Sequence, residues 1–356
     1  MPTPGHSLTD LFPLPMIETQ LARSGKVPIN LALEWWNGNA AEVVLLERLM
    51  LESHRWNRVY VRVMGSNASI LSRLQQIRGR VPALQMFRFI SEGDRDEPNF
   101  VGAQDMFLSA PALRDFTLTH FKSSTLPFML PSSQLTVYEG SAHPDVHLSV
   151  LSGAHNLLEC RLGAGKMFEN PPPTASNIVV TLPRLLVLRI VEPEMINHII
   201  APVLKYLRVE DDLPAVVSFV QRSACGASLK ELILVRSEGC SSNTFKALLR
   251  ALPALERLVY EPSRGDADRA DLADALTLTG AEAHDLCRNL QTLAWSWMGF
   301  TAPAYRDSIR RMVQSRSDND KFLFRVLSLL PVGYEGMGAH GRDMILEQLG
   351  LKGLDG

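Results

Sequence analysis

The chain has 356 residues, 46% of them hydrophobic and 21% charged, with a formal net charge of -2 and a pI near 6.5. That balance can supply a sizeable core, and it argues against a sequence-independent nucleic-acid binder, which needs a basic excess against phosphates. No apolar run reaches the roughly 18 residues that span a bilayer, and the chemistry of the charge gives no reason to expect attachment to an anionic membrane.

Residues 1–20, MPTPGHSLTDLFPLPMIETQ, lack the basic and apolar blocks of a secretory leader. They read as an extended or disordered N-terminal segment. From residue 21 to 356 the chain reads as a single irregular domain, because one short phrase keeps returning: apolar, two variable residues, apolar, one variable residue, apolar. It occurs as WNRVYV (56–61), LQMFRF (84–89), LRDFTL (113–118), LLECRL (157–162), LLVLRI (185–190), LKYLRV (204–209), LKELIL (229–234), LERLVY (255–260), LQTLAW (290–295) and FRVLSL (324–329), with a degenerate copy, LTVYEG, at Leu135. Successive copies start 19 to 35 residues apart, and most steps lie near the ~20–29 residues of a leucine-rich repeat. The last two apolar residues of the phrase are two apart, so both face one side of a short strand, while the residue between them faces the other.

Amphipathic helical stretches lie between many strands, most clearly SILSRLQQI (69–77), LPAVVSFVQRSA (213–224) and NTFKALLRALP (243–253), and APAYRDSIRRMVQ (302–314) is expected to cover the end of the sheet. Alternating strand and helix predicts an α/β leucine-rich-repeat solenoid, a right-handed arc with parallel strands on the concave face and helices outside. Pro or Asn often stands just before the phrase, as in PAL at 82, 111 and 253, PRL at 183, PVL at 202, HNL at 155 and RNL at 288. Proline there is expected to stop the preceding helix and present an extended chain. The loop ENPPPTASN (169–177) lengthens one repeat, a charged insertion occupies 261–286, and RDMILEQLGL (342–351) reads as a C-terminal capping helix.

The candidate sites are few. HPDVH (143–147) spaces two histidines four apart, as zinc ligands on a helix can be, but it lacks the Glu of H-E-x-x-H and reads as a surface connection between repeats. GMGAHG (336–341) has the spacing of a dinucleotide-binding turn, yet only fifteen residues follow Gly341, too few for the strand and acidic residue such a site needs. No G-x-S-x-G elbow and no distinctive carboxylate pair occurs. The four cysteines, Cys160, Cys225, Cys240 and Cys287, form no C-x-x-C pair and point to reduced thiols in the cytoplasm or nucleus. The expectation is a protein without catalytic, cofactor or metal sites.

The informative positions are those turned to the concave side: Tyr60, Arg88, Thr117, Arg161, Arg189, Arg208, Ile233, Val259, Ala294 and Ser328. Arg161, Arg189 and Arg208 are predicted to form a ladder of like charge, destabilising unless balanced. Two readings stay open. Glu159 and Glu210 pair with the arginines, or the ladder receives an acidic segment of a protein target through bidentate hydrogen bonds. Beyond the ladder, Ile233, Val235 and Val259 are predicted to form an apolar patch for the same target. On the opposite side, Leu188, Leu207, Leu232 and Leu258 are predicted to form one buried column.

Several stretches in fixed order go beyond a generic repeat: LARSGKVPINLAL (21–33), LLERLMLESHRWNRVYVRV (45–63), SSQLTVYEG (132–140), HNLLECRLG (155–163), LPRLLVLRI (182–190) and VVSFVQRSACGASLKELIL (216–234). Together they resemble the leucine-rich-repeat region of the fungal F-box-domain protein families, from about residue 14 onward. The resemblance implies a substrate receptor of a cullin–RING ubiquitin ligase, whose repeats hold a protein target. In such proteins an F-box docks on the Skp adaptor. LPMIE (14–18) is no more than an echo of an F-box opening, so the adaptor is expected only if an F-box is supplied upstream. The alternative is a stand-alone repeat scaffold with no link to ubiquitin.

Overall fold

A computed structural model describes residues 14–36, 38–64, 67–92, 105–119, 128–164, 178–210, 212–237, 241–262, 269–280, 285–296, 303–317 and 323–327. Where the sequence carries one domain over 21–356, the chain divides into two compact units, one up to Val180 and one from Thr181. The division follows directly on the proline-rich loop at 169–177, which lies outside the described residues.

The first unit contains α1 (Leu14–Ser24), β1 (Ile29–Trp35), α2 (Ala40–Leu51), β2 (Trp56–Val63), α3 (Asn67–Leu74), β3 (Met86–Ser91), β4 (Asp115–Thr119), β5 (Val137–Ala142), α4 (Pro144–Leu151) and β6 (Glu159–Ala164). These six strands are parallel and neighbour one another in chain order. Two elements depart from expectation. Helix α1 replaces an extended chain over residues 14–20, because Leu14, Ile17 and Leu21 recur at helical spacing and are half-buried together; Glu18 on its outer side reaches Arg48 of α2 at 3.4 Å. Strand β1 carries the alternation Leu31, Leu33, Trp35 without the leading apolar residue of the phrase. Helix α2 starts on an asparagine cap, and its Glu42 reaches back past that cap. Asn39 Oδ1 accepts from Glu42 N at 2.9 Å, while the Glu42 carboxylate accepts from Gly38 N at 2.8 Å.

With β7 (Val180–Thr181) at the division, the second unit continues through β8 (Val187–Ile190), β9 (Ile199–Ile200), β10 (Tyr206–Glu210), α5 (Leu213–Ser223), β11 (Glu231–Ser237), α6 (Ser242–Arg250), β12 (Arg257–Pro262), α7 (Arg269–Leu276), β13 (Thr292–Ser296), α8 (Pro303–Ser317) and β14 (Leu323–Leu327). Strands β8, β10, β11, β12, β13 and β14 pair in that order, again in parallel. Asp212 and Ser241 cap α5 and α6 by accepting from Ala215 N and Thr244 N. The charged insertion contains α7. The capping helix at 342–351 falls outside the described residues.

Two backbone devices repeat with the phrase. Its first leucine donates its N–H to the carbonyl three residues back: Leu84 to Val81, Leu113 to Ala110, Leu185 to Leu182, Leu204 to Ala201 and Leu255 to Leu252. In each of these the proline is the second residue of a four-residue turn, a place its fixed φ suits. The expected extended presentation is therefore corrected to a tight turn. The next residue of the phrase then offers one carbonyl to two successive N–H groups of the following strand. Gln85 does so for Arg114 and Asp115, Leu186 for Lys205 and Tyr206, Lys205 for Lys230 and Glu231, and Lys230 for Glu256 and Arg257.

The buried face of each unit is a set of register-matched columns. In the second unit Leu188, Leu207, Leu232 and Leu258 are partners in successive strands and all fully buried, as predicted. In the first unit Val59, Phe87, Phe116, Tyr138 and Cys160 form the equivalent column. Helices cover this face: Phe245 of α6 lies 5.2 Å from the Tyr260 ring of β12, and His147 of α4 lies 5.9 Å from Tyr138 of β5. Among the described residues, no helix is long and apolar enough to cross a membrane.

Candidate recognition face

The other face of the strands carries the residues that alternate with the core. In the first unit, Tyr60, Arg88, Thr117, Glu139 and Arg161 are successive register partners. Glu139 belongs to the degenerate copy at Leu135, which contributed no position to the predicted row; its signal was the alternation with Tyr138 and Gly140. This glutamate changes the character of the site. Arg161 donates from Nε and Nη2 to Glu159 Oε1 at 2.9 and 2.7 Å, and from Nη1 to Glu139 Oε2 at 3.4 Å. Desolvation pulls the Arg161 guanidinium down, but hydrogen bonding and the charge of Glu159, with Glu139 and Asp115, outweigh it and hold the group above its ordinary range. Arg88 meets Asp115 Oδ2 at 3.3 Å. Arg62 spans both oxygens of Glu92 at 2.8 and 2.7 Å. Arg62, Arg88 and Arg161 on the first unit's strand face are thus engaged by this chain's own carboxylates.

The second unit differs. Arg189 and Arg208 are register partners on β8 and β10. Arg208 has Glu210 at 3.9 Å, beyond hydrogen-bond reach. The Arg189 guanidinium carbon sits 5.2 Å from the centre of the Tyr206 ring, within cation–π range. Its Nε is shut from solvent and bonds to nothing. The predicted ladder therefore resolves into Arg189 and Arg208 as one adjacent pair, and Arg161, in the first unit, as a neutralised residue. Glu159 stands 2.7 Å and Glu210 3.9 Å from their arginines, as the first of the two readings has it. Tyr206 was not singled out in the sequence, although it lies two residues before Arg208 and so shares its face.

The apolar patch needs correction. Ile233 is half-buried, but Val235 and Val259 are each only 7% exposed, so they pack inside the chain rather than await a target. Ala294 is buried as well. At the last strand the register is three residues out from the predicted one: Phe324 pairs with Leu293, and Arg325, not Ser328, pairs with Ala294. Ser328 and GMGAHG lie outside the described residues.

HPDVH is not a surface connection. His143 caps α4, its Nδ1 accepting from Asp145 N at 3.3 Å, and both histidines are buried, His143 at 4% and His147 at 0% exposure. His147 Nδ1 lies 3.0 Å from the Tyr138 hydroxyl. A Cβ on Gly140 would come within 2.6 Å of both Tyr138 Oη and His147 Cε1, which explains why the degenerate phrase ends in glycine instead of leucine. Among the described residues no group of three metal-ligating side chains converges.

Burial is the main reason the His147 imidazole is held down at about 4; nearby His143 adds to this, while the Gly163 and Ala142 carbonyls oppose it. The unfolded histidine titrates near ~6.5, so between these values the unfolded chain binds the extra proton and stability rises with pH. The contribution is fully present above the unfolded value and is lost as pH falls toward about 4, about 3 kcal/mol in all. His147→Gln, which keeps an acceptor for Tyr138 and cannot titrate, should flatten the urea-unfolding free energy across that window. An unchanged acid slope in the variant would refute the assignment.

No protein-family model matches the chain, and no curated protein matches it.

Proposed function

We propose that the chain is a non-catalytic protein-recognition module, built as a leucine-rich-repeat solenoid whose strand face holds a polypeptide target. The observation that carries this reading is the recurrence of one geometry. A closed turn, a two-donor carbonyl and a strand follow one another with the same register in copy after copy, leaving one face covered by helices and the other half-exposed. Stacked units of this kind present extended surfaces suited to another chain. The sequence resemblance to fungal F-box receptors supports the more specific role, the target-holding part of a ubiquitin-ligase receptor, which meets the Skp adaptor only if an F-box is supplied upstream.

A photo-crosslinking amino acid at Tyr60 or Ile233, on the strand face, is expected to give discrete polypeptide adducts in a cell extract. The same group at Val44 of α2 or Arg250 of α6, exposed on the helical side, should give none. Adducts of equal yield from both sides, or none from the strand face, would overturn the reading.

A further inference from the structure

This inference rests on the recognition reading and names what one part of the face takes. We propose that Arg189, Arg208 and Tyr206 form an oxyanion subsite for the acidic side chains of an extended polypeptide. Parallel strands lie about 4.8 Å apart, so two guanidinium groups at register-partner positions repel each other unless an anion stands between them. Four other strand-face arginines have such an anion from this chain. Arg62 has Glu92, Arg88 has Asp115, Arg161 has Glu159 and Glu139, and Arg257 has Glu231 at 3.0 Å. At the Arg189–Arg208 pair, among the described residues, the carboxylate in reach is Glu210, 3.9 Å from one member.

The pair is also held ready. The contact of the Arg189 guanidinium with the Tyr206 ring restrains that side chain, so less side-chain freedom is lost when it binds. Two adjacent guanidinium forks suit a group with two or more acceptor oxygens, a carboxylate or a phosphate monoester. Because the subsite lies along strands with half-exposed neighbours on the same face, Ile233 and Tyr206 among them, the bearer of that group is an extended peptide.

The test uses the full chain and two fluorescein-labelled probes, hexaglutamate and a neutral peptide carrying one phosphoserine, read by fluorescence anisotropy. Binding of at least one probe is expected, with the tighter one identifying carboxylate or phosphate as the group read. Affinity should fall at least tenfold in R189Q/R208Q and as salt is raised, since exposed charges are screened. K246Q/R250Q, which makes the same charge change on α6, should bind like the parent. R189Q/R208Q should melt no lower than the parent, because a like-charge contact is relieved. Failure of both probes to bind, or equal binding by R189Q/R208Q, overturns the subsite. Strand-face cross-links at Tyr60 and Ile233 that persist in that event would leave the broader recognition reading standing.

Discussion

Replacing Phe87 with alanine is expected to lower stability by about 3–5 kcal/mol, the usual cost of deleting a buried aromatic ring. Phe87 is fully buried, and its ring centre lies 4.5 Å from Phe107, 5.8 Å from Phe128, 6.1 Å from Phe116 and 6.5 Å from Phe89. Edge-on and tilted contacts of this kind add to simple burial, and they come from several elements: β3 itself, β4, the turn at Asp105–Phe107 and the chain at Phe128. Interiors are packed like organic crystals, so four surrounding rings cannot close the hole without leaving their own minima. Phe87→Leu, which keeps most of the volume, should cost clearly less. Urea unfolding gives the loss, and hydrogen exchange over residues 84–119 should show it as faster opening there. A loss for Phe87→Ala under about 1 kcal/mol would mean that this cluster does not organise the unit.

The same cluster shows how far the sequence could be read. Phe87, Phe89 and Phe116 occupy apolar places of the repeating phrase, so strand alternation alone puts them on one face. Phe107 and Phe128 belong to no copy. They reach the core through irregular segments, and nothing in their neighbours' spacing signals it. The leucine column of β8, β10, β11 and β12 was legible in full because register and phrase coincide there. At β14 the phrase FRVLSL has several apolar residues in frames three apart, and the pairing took the other frame.

On the strand face, alternation placed Arg189 and Arg208 at equivalent positions, and the two are register partners. It could not weigh compensation. Arg161 looks like its neighbours in the phrase, yet Glu159 two residues earlier and Glu139 one strand away neutralise it. Valines at inner-face positions read as exposed because alternation assigns a side but not a depth, and Val235 and Val259 are buried on that side. HPDVH shows the reverse failure. Polar residues suggested a surface, whereas the fold encloses them and supplies Tyr138 as the partner of His147.

Arg316 is a residue whose role no spacing could reveal, because three of its bonds go to main-chain carbonyls. It projects from α8, is 2% exposed, and donates from Nε to the Leu276 carbonyl at 2.8 Å, from Nη2 to Leu286 at 2.8 Å and from Nη1 to Cys287 at 3.0 Å. One guanidinium thereby ties the C-terminus of α7 and the turn leading into β13 to α8. That turn is itself unusual, since Cys287 holds a left-handed φ of 48° while its carbonyl also accepts from Leu290 N at 2.9 Å. Burial depresses the Arg316 guanidinium to about 10, with the Cys287 and Asp285 side chains opposing the fall, so it remains charged at neutral pH and its donors stay in place. Arg316→Met, similar in length but without donors, strands the Leu276 and Leu286 carbonyls, each at about 1–3 kcal/mol when buried and unpaired, and leaves the Cys287 carbonyl with Leu290 N alone. Lost packing adds to this, while relief of a buried charge offsets part. The net expectation is a loss of about 3–5 kcal/mol in urea unfolding. Arg316→Lys should recover little of it, because a single ammonium on a flexible stem cannot reach three acceptors set around a planar fork. Full rescue by lysine would show that charge alone, not the fork, holds these elements together.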